Sequence, residues 1–70
     1  MIYHLIDSET DIVRMFNIKP DTTTKNRYYC VMVNPFSTSY DSKVIYGTSE
    51  EIVQRKIKKQ YDKFKKESAK

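Results

Sequence analysis

The sequence predicts an α+β fold: a three-stranded antiparallel sheet with a short helix and a long C-terminal amphipathic helix, in the order β-α-β-β-α. Three observations predict it. From Arg27 to Val33 every residue after the arginine is apolar or aromatic, with the strand-forming chemistry of Tyr-Tyr-Cys-Val-Met-Val. A second short run, Lys43 to Tyr46, returns after a loop and stops at a glycine. Beyond it, Val53, Ile57, Tyr61 and Phe64 recur at spacings of four, four and three, which is one stripe of a helix. Seventy residues hold one domain, 1–70, with a strongly basic helix and tail from about residue 54.

Taken in order, Ile2 to Ile6 has strand residues and stops at Asp7-Ser8. A short helix is expected next. Asp7 or Ser8 would cap it, Glu9 and Asp11 suit the positive end of its dipole, and Ile12, Val13, Met15 and Phe16 fall at i, i+1, i+3 and i+4. Asn17 and Pro20 would end it, and residues 19 to 26 form a polar loop. In the strand from Arg27, Tyr28, Cys30 and Met32 point one way and Tyr29, Val31 and Val33 the other, so both faces ask for cover. Asn34 to Ser42 reads as a long hairpin loop, and Gly47, the chain's one glycine, as a backbone conformation that other residues resist. Thr48-Ser49-Glu50-Glu51 fits the capping box of the final helix.

So short a chain buries a small core, and natural domains of this size are usually reinforced by disulfides, a metal or a second subunit. One cysteine, Cys30, and one histidine, His4, exclude an internal disulfide and supply too few ligands for a Cys/His zinc site. Homodimerisation is the remaining expectation. The lone cysteine fits a reducing compartment, and the opening apolar run is too short for a signal segment, so the chain is read as cytoplasmic.

Catalysis finds little support. His4 lies in a strand between Tyr3 and Leu5, and Cys30 lies in an apolar run away from any predicted base, so both read as structural residues. Asp7, Glu9 and Asp11 alternate as in a calcium loop but lack its glycine and terminal glutamate. One glycine cannot build a phosphate-cradling loop. The chain is therefore read as non-enzymatic, with no cofactor and no metal, and as a protein that acts by binding.

The net charge of +4 is unevenly spread, with −2 over residues 1 to 53 and +6 over residues 54 to 70. Two readings of the basic helix stand side by side. Lys56, Lys59, Lys63 and Lys66 could follow a nucleic-acid backbone, making the chain a small nucleic-acid-binding accessory protein. Alternatively they are a solvated face, which the excess of lysine over arginine favours, because base readout prefers arginine. Six tyrosines, with Tyr28, Tyr29, Tyr40 and Tyr46 on or near the hairpin, suit protein interfaces. Tyr28, Tyr29 and Val31 are candidates for a dimer interface, and Tyr40, Asp41, Lys43 and Tyr46 for contact with a partner.

Three stretches carry a family resemblance: Leu5-Ile6-Asp7-Ser8, Lys25-Asn26-Arg27-Tyr28-Tyr29, and Val44-Ile45-Tyr46-Gly47-Thr48-Ser49-Glu50-Glu51-Ile52-Val53. Across most of residues 3 to 62 the chain resembles the small dimeric phage-encoded inhibitors of host uracil-DNA glycosylase. The resemblance implies a homodimer that mimics DNA, shields the enzyme's DNA-binding groove and holds its protruding leucine in an apolar pocket at the dimer seam. Tyr46 matches a tyrosine of that surface. Ser42 and Lys43 stand where the family has an aromatic and an acid, and Cys30 replaces a strand acid. The expectation is a protein that binds and inhibits a host enzyme in the host cytoplasm.

Overall fold

The computed structural model describes residues 1–37 and 41–68. Among the described residues five strands precede one helix: β1 (Ile2–Asp7), β2 (Ile12–Asn17), β3 (Lys19–Pro20), β4 (Tyr28–Val33), β5 (Ser42–Gly47) and α1 (Glu50–Ser68). β1 and β2 form an antiparallel hairpin, and β3, β4 and β5 form a three-stranded antiparallel sheet in that order. The fold is α+β, as the sequence predicts. β3 resumes the line of β2 after Ile18, whose amide donates to the Met1 carbonyl at 2.8 Å while the Met1 amino group donates to the Ile18 carbonyl at 3.0 Å.

The expected short helix is absent, and β2 occupies its place. The reason is local. The Asp7 carbonyl accepts from the amides of Thr10 and Asp11, at 3.3 and 2.7 Å, and Asp11 takes a left-handed conformation with φ of 58°, which reverses the chain. The Asp7 side chain, expected to cap a helix, instead accepts from the Glu9 amide at 3.0 Å and fixes that turn. Ile12 and Val13 are β-branched and pair with Asp7 and Ile6.

Two smaller expectations also change. Gly47 has no positive φ, and its need is for space. A Cβ there would meet Ile52 Cγ2 at 2.9 Å and Val53 Cγ2 at 3.0 Å, so the missing side chain lets the first turn of α1 close onto β5. The cap of α1 is Ser49, one residue later than the capping box would place it. Its Oγ accepts from the Ile52 amide at 3.3 Å and its carbonyl from the Val53 amide at 3.2 Å.

The predicted helical stripe holds. Val53, Ile57, Tyr61 and Phe64 are buried and pack with Leu5, Ile18, Cys30, Met32 and Ile45 in one core. Tyr3, Phe16, Tyr28 and Phe36 close its margins. Strand alternation supplies one face of the sheets to this core. A single helix covers that face, leaving the other without protein over it among the described residues.

Candidate interaction surfaces

The strand registers decide which side chains share the uncovered face. Tyr29 pairs with Tyr46, Val31 with Val44 and Val33 with Ser42 across β4 and β5, while His4 pairs with Met15 and Ile6 with Val13 across β1 and β2. Directly paired residues project to the same side, and the odd-numbered positions of β2 run in phase through Lys19, which pairs with Tyr29. One face therefore carries Ile2, Ile6, Val13, Met15, Val31, Val33, Val44 and Tyr46, between 41 and 69% exposed. Exposed apolar side chains gathered on one face in this way mark an interaction surface.

Charge is confined to one end of this face. Lys19 lies there beside Tyr29, and the Arg27 guanidinium sits 4.3 Å from the centre of the Tyr46 ring. The Tyr29 and Tyr46 rings are 6.4 Å apart and tilted, forming an aromatic pair at that end. Arg27 is held by Asp21, Nε to Oδ2 at 2.8 Å, and Asp21 also accepts from the Thr23 hydroxyl at 2.7 Å and amide at 2.9 Å. Those bonds, led by Thr23, lower the Asp21 carboxyl to about 2.

The dimer candidates divide accordingly. Tyr29 and Val31 lie on the uncovered face, whereas Tyr28 pairs with Gly47 on the helix side and packs against the core. The partner candidates divide as well. Tyr46 is on the uncovered face and Lys43 on the opposite one, across from the buried Met32. Asp41 is exposed before β5, its carbonyl accepting from the Asn34 amide at 2.7 Å, and Tyr40 lies outside the described residues. The half of the face built by Ile2, Ile6, Val13 and Met15 was missed in the sequence because β2 read as a helix. The β-branched pair Ile12-Val13 was the sequence signal for it.

The basic row lies on the helix side. Lys56, Lys59 and Lys63 line one groove with Ile45 and Gln60, and Lys66 borders a different concavity with Glu9, Asp62 and Lys65. Acids on that second flank are paired: Asp62 with Lys58 at 2.9 Å, and Glu9 with Lys65 at 3.1 Å.

One buried carboxylate joins α1 to the β1–β2 turn. Asp7 is 4% exposed, accepting from the Tyr61 hydroxyl at 2.7 Å and from Lys65 Nζ at 2.8 Å. The Lys65 bond leads in holding its carboxyl well below the ordinary carboxylate range, and burial and the same carboxylate push the Tyr61 hydroxyl up. A depressed folded value means that the Asp7 contribution is complete above about pH 4 and is lost as pH falls below that, with Asp21 following the same sign toward about 2. The thermal midpoint is expected to drop steeply below about pH 4, and Asp7→Asn is expected to lower it at neutral pH while flattening the acid limb. A full-strength acid limb in Asp7→Asn would assign the transition to other carboxylates.

Cys30 is buried, its thiol pushed up by burial, so it fits a packing residue. His4 is exposed opposite Met15. No group of three or more His, Cys, Asp or Glu that could hold a metal ion occurs among the described residues, and no helix among them is long and apolar enough to cross a membrane. Compared with protein-family models, curated proteins and solved structures, the chain matches none.

Proposed function

We propose that the chain is a non-enzymatic, phage-type interaction protein that assembles as a homodimer through its uncovered sheet face and blocks a host enzyme in the cytoplasm, with uracil-DNA glycosylase as the target. The observation that carries the reading is the apolar face itself. Eight large apolar side chains, each at least 41% exposed, share it, and its composition of Val, Ile, Met and Tyr with charge at one end has the anatomy of an interface core and rim.

The target rests on the sequence resemblance, and the position of Tyr46 supports it. Two copies meeting on this face would leave Tyr29 and Tyr46 at the edge of the seam, where an aromatic-walled pocket could take a protruding leucine. Lys19 and Arg27 give that edge positive charge, so this chain would grip its target through the apolar seam more than through acids standing in for phosphates. A glycosylase assay tests the target: excess protein is expected to suppress uracil excision. Unchanged excision would discard the glycosylase while leaving self-association to be judged by mass.

A further inference from the structure

The helix side of the molecule carries a second surface, on the opposite side of β5 from the uncovered face and adjoining it at Tyr46 and Arg27. α1 runs back along the edge strand β5: Lys56 Nζ donates to the Tyr46 carbonyl at 2.8 Å, and at the other end Glu67 and Ser68 share a concavity with Asp41. Between these points Ile45, Lys56, Lys59, Gln60 and Lys63 line a groove of about 390 Å³. No carboxylate of the described residues lines it. Asp62, the acid nearest in sequence on α1, is bound to Lys58, which is absent from the groove wall. Lys43, on the same side of β5 as Ile45, adds positive charge along the strand. Lys56 also borders a neighbouring concavity with Lys25 and Arg27, so the basic lining continues around the start of the helix.

We infer that this groove is a track for the sugar–phosphate backbone of single-stranded nucleic acid. Dipole complementarity explains lysines in the last turn of α1, but Lys56 and Lys59 stand well before it. From Lys56 to Lys63 the row spans roughly 10 Å of helix axis, about three phosphates at ~3.4 Å per nucleotide along a strand. Lysines are point charges on flexible stems, suited to phosphates without sequence readout. An acidic protein would need apolar or aromatic anchors at the centre of its contact, and among the described residues Ile45 is the one apolar side chain in this groove. The groove lies between one strand and one helix, and its lysines form a single row along that helix, so it meets one backbone and needs no second strand.

Fluorescence anisotropy with a labelled oligothymidylate and the unmodified protein tests this. Binding at low salt is expected, with log affinity falling against log salt at a slope of about −2 as three phosphates of a single strand are neutralised and their counterions released. The double variant Lys59→Gln, Lys63→Gln, which leaves the Lys56 bond to β5 intact, is expected to bind at least tenfold more weakly with a slope nearer −0.7, while circular dichroism shows an unchanged fold. Lys58→Gln, outside the groove, is expected to bind like the parent. Absence of salt-dependent binding, equal affinity of the double variant, or preference for polyglutamate or for duplex DNA would each overturn the inference.

Discussion

Placing aspartate at both Val31 and Val44 is expected to abolish the self-association proposed for the uncovered face. The two side chains are direct cross-strand neighbours near the middle of the uncovered face, 55 and 41% exposed. In the isolated chain new carboxylates there stay in water, so the fold should survive, at a cost of roughly 1 to 2 kcal/mol from the two like charges facing each other and the low strand propensity of aspartate. In the dimer the same carboxylates would leave water without a countercharge, because the strand positions around them are Tyr29, Val33, Ser42 and Tyr46. Association should weaken at least a hundredfold, about 2.7 kcal/mol or more. Size-exclusion chromatography with light scattering over a dilution series reads the loss, and a cooperative melting curve shows that the fold survives. Unaltered self-association would move the seam off this face.

Tyr61→Ala is expected to unfold the domain or bring it close to unfolding. Tyr61 is 1% exposed, meets the Phe36 ring edge-on at 5.1 Å and donates to Asp7, so it joins the helix, the β4–β5 connection and the β1–β2 turn. Truncating a large buried aromatic costs about 3 to 5 kcal/mol, comparable with the whole stability of a domain this small. Tyr61→Phe keeps the packing and removes the hydrogen bond, for a loss of about 1 to 2 kcal/mol. Urea unfolding of the two variants separates the contributions. Equal losses would mean that the hydroxyl, and not the ring, carries the role of Tyr61.

The long helix was legible because its stripe follows a 3.6-residue period and every member of it is buried. β4 was legible because both of its alternating sets are apolar, although within one chain only Cys30 and Met32 are buried, Tyr28 and Tyr29 are half-buried, and Val31 and Val33 stay exposed. β2 was not, because Ile12, Val13, Met15 and Phe16 satisfy a short helical pattern as well as an alternating one, and Asp7 can cap a helix or fix a turn with the same carboxylate. The left-handed Asp11 decides between them, and single-sequence periodicity does not contain it.

That misreading concealed half of the uncovered face. Tyr29, Val31 and Tyr46 were within reach of the sequence, whereas Ile6, Val13 and Met15 join them only once β2 is a strand. The separation of Lys43 from Tyr46 was also available, since positions an odd number apart on a strand face opposite ways. Asp7 gave no sequence sign of its tie to Tyr61 and Lys65, which lie more than fifty residues away and meet it only through packing of α1.

Sedimentation equilibrium on the unmodified chain addresses the role of the bare sheet face most directly. At micromolar concentration the account requires a species of twice the 8.4 kDa chain mass, dissociating on dilution. A single species at the chain mass, constant across concentrations, would contradict it.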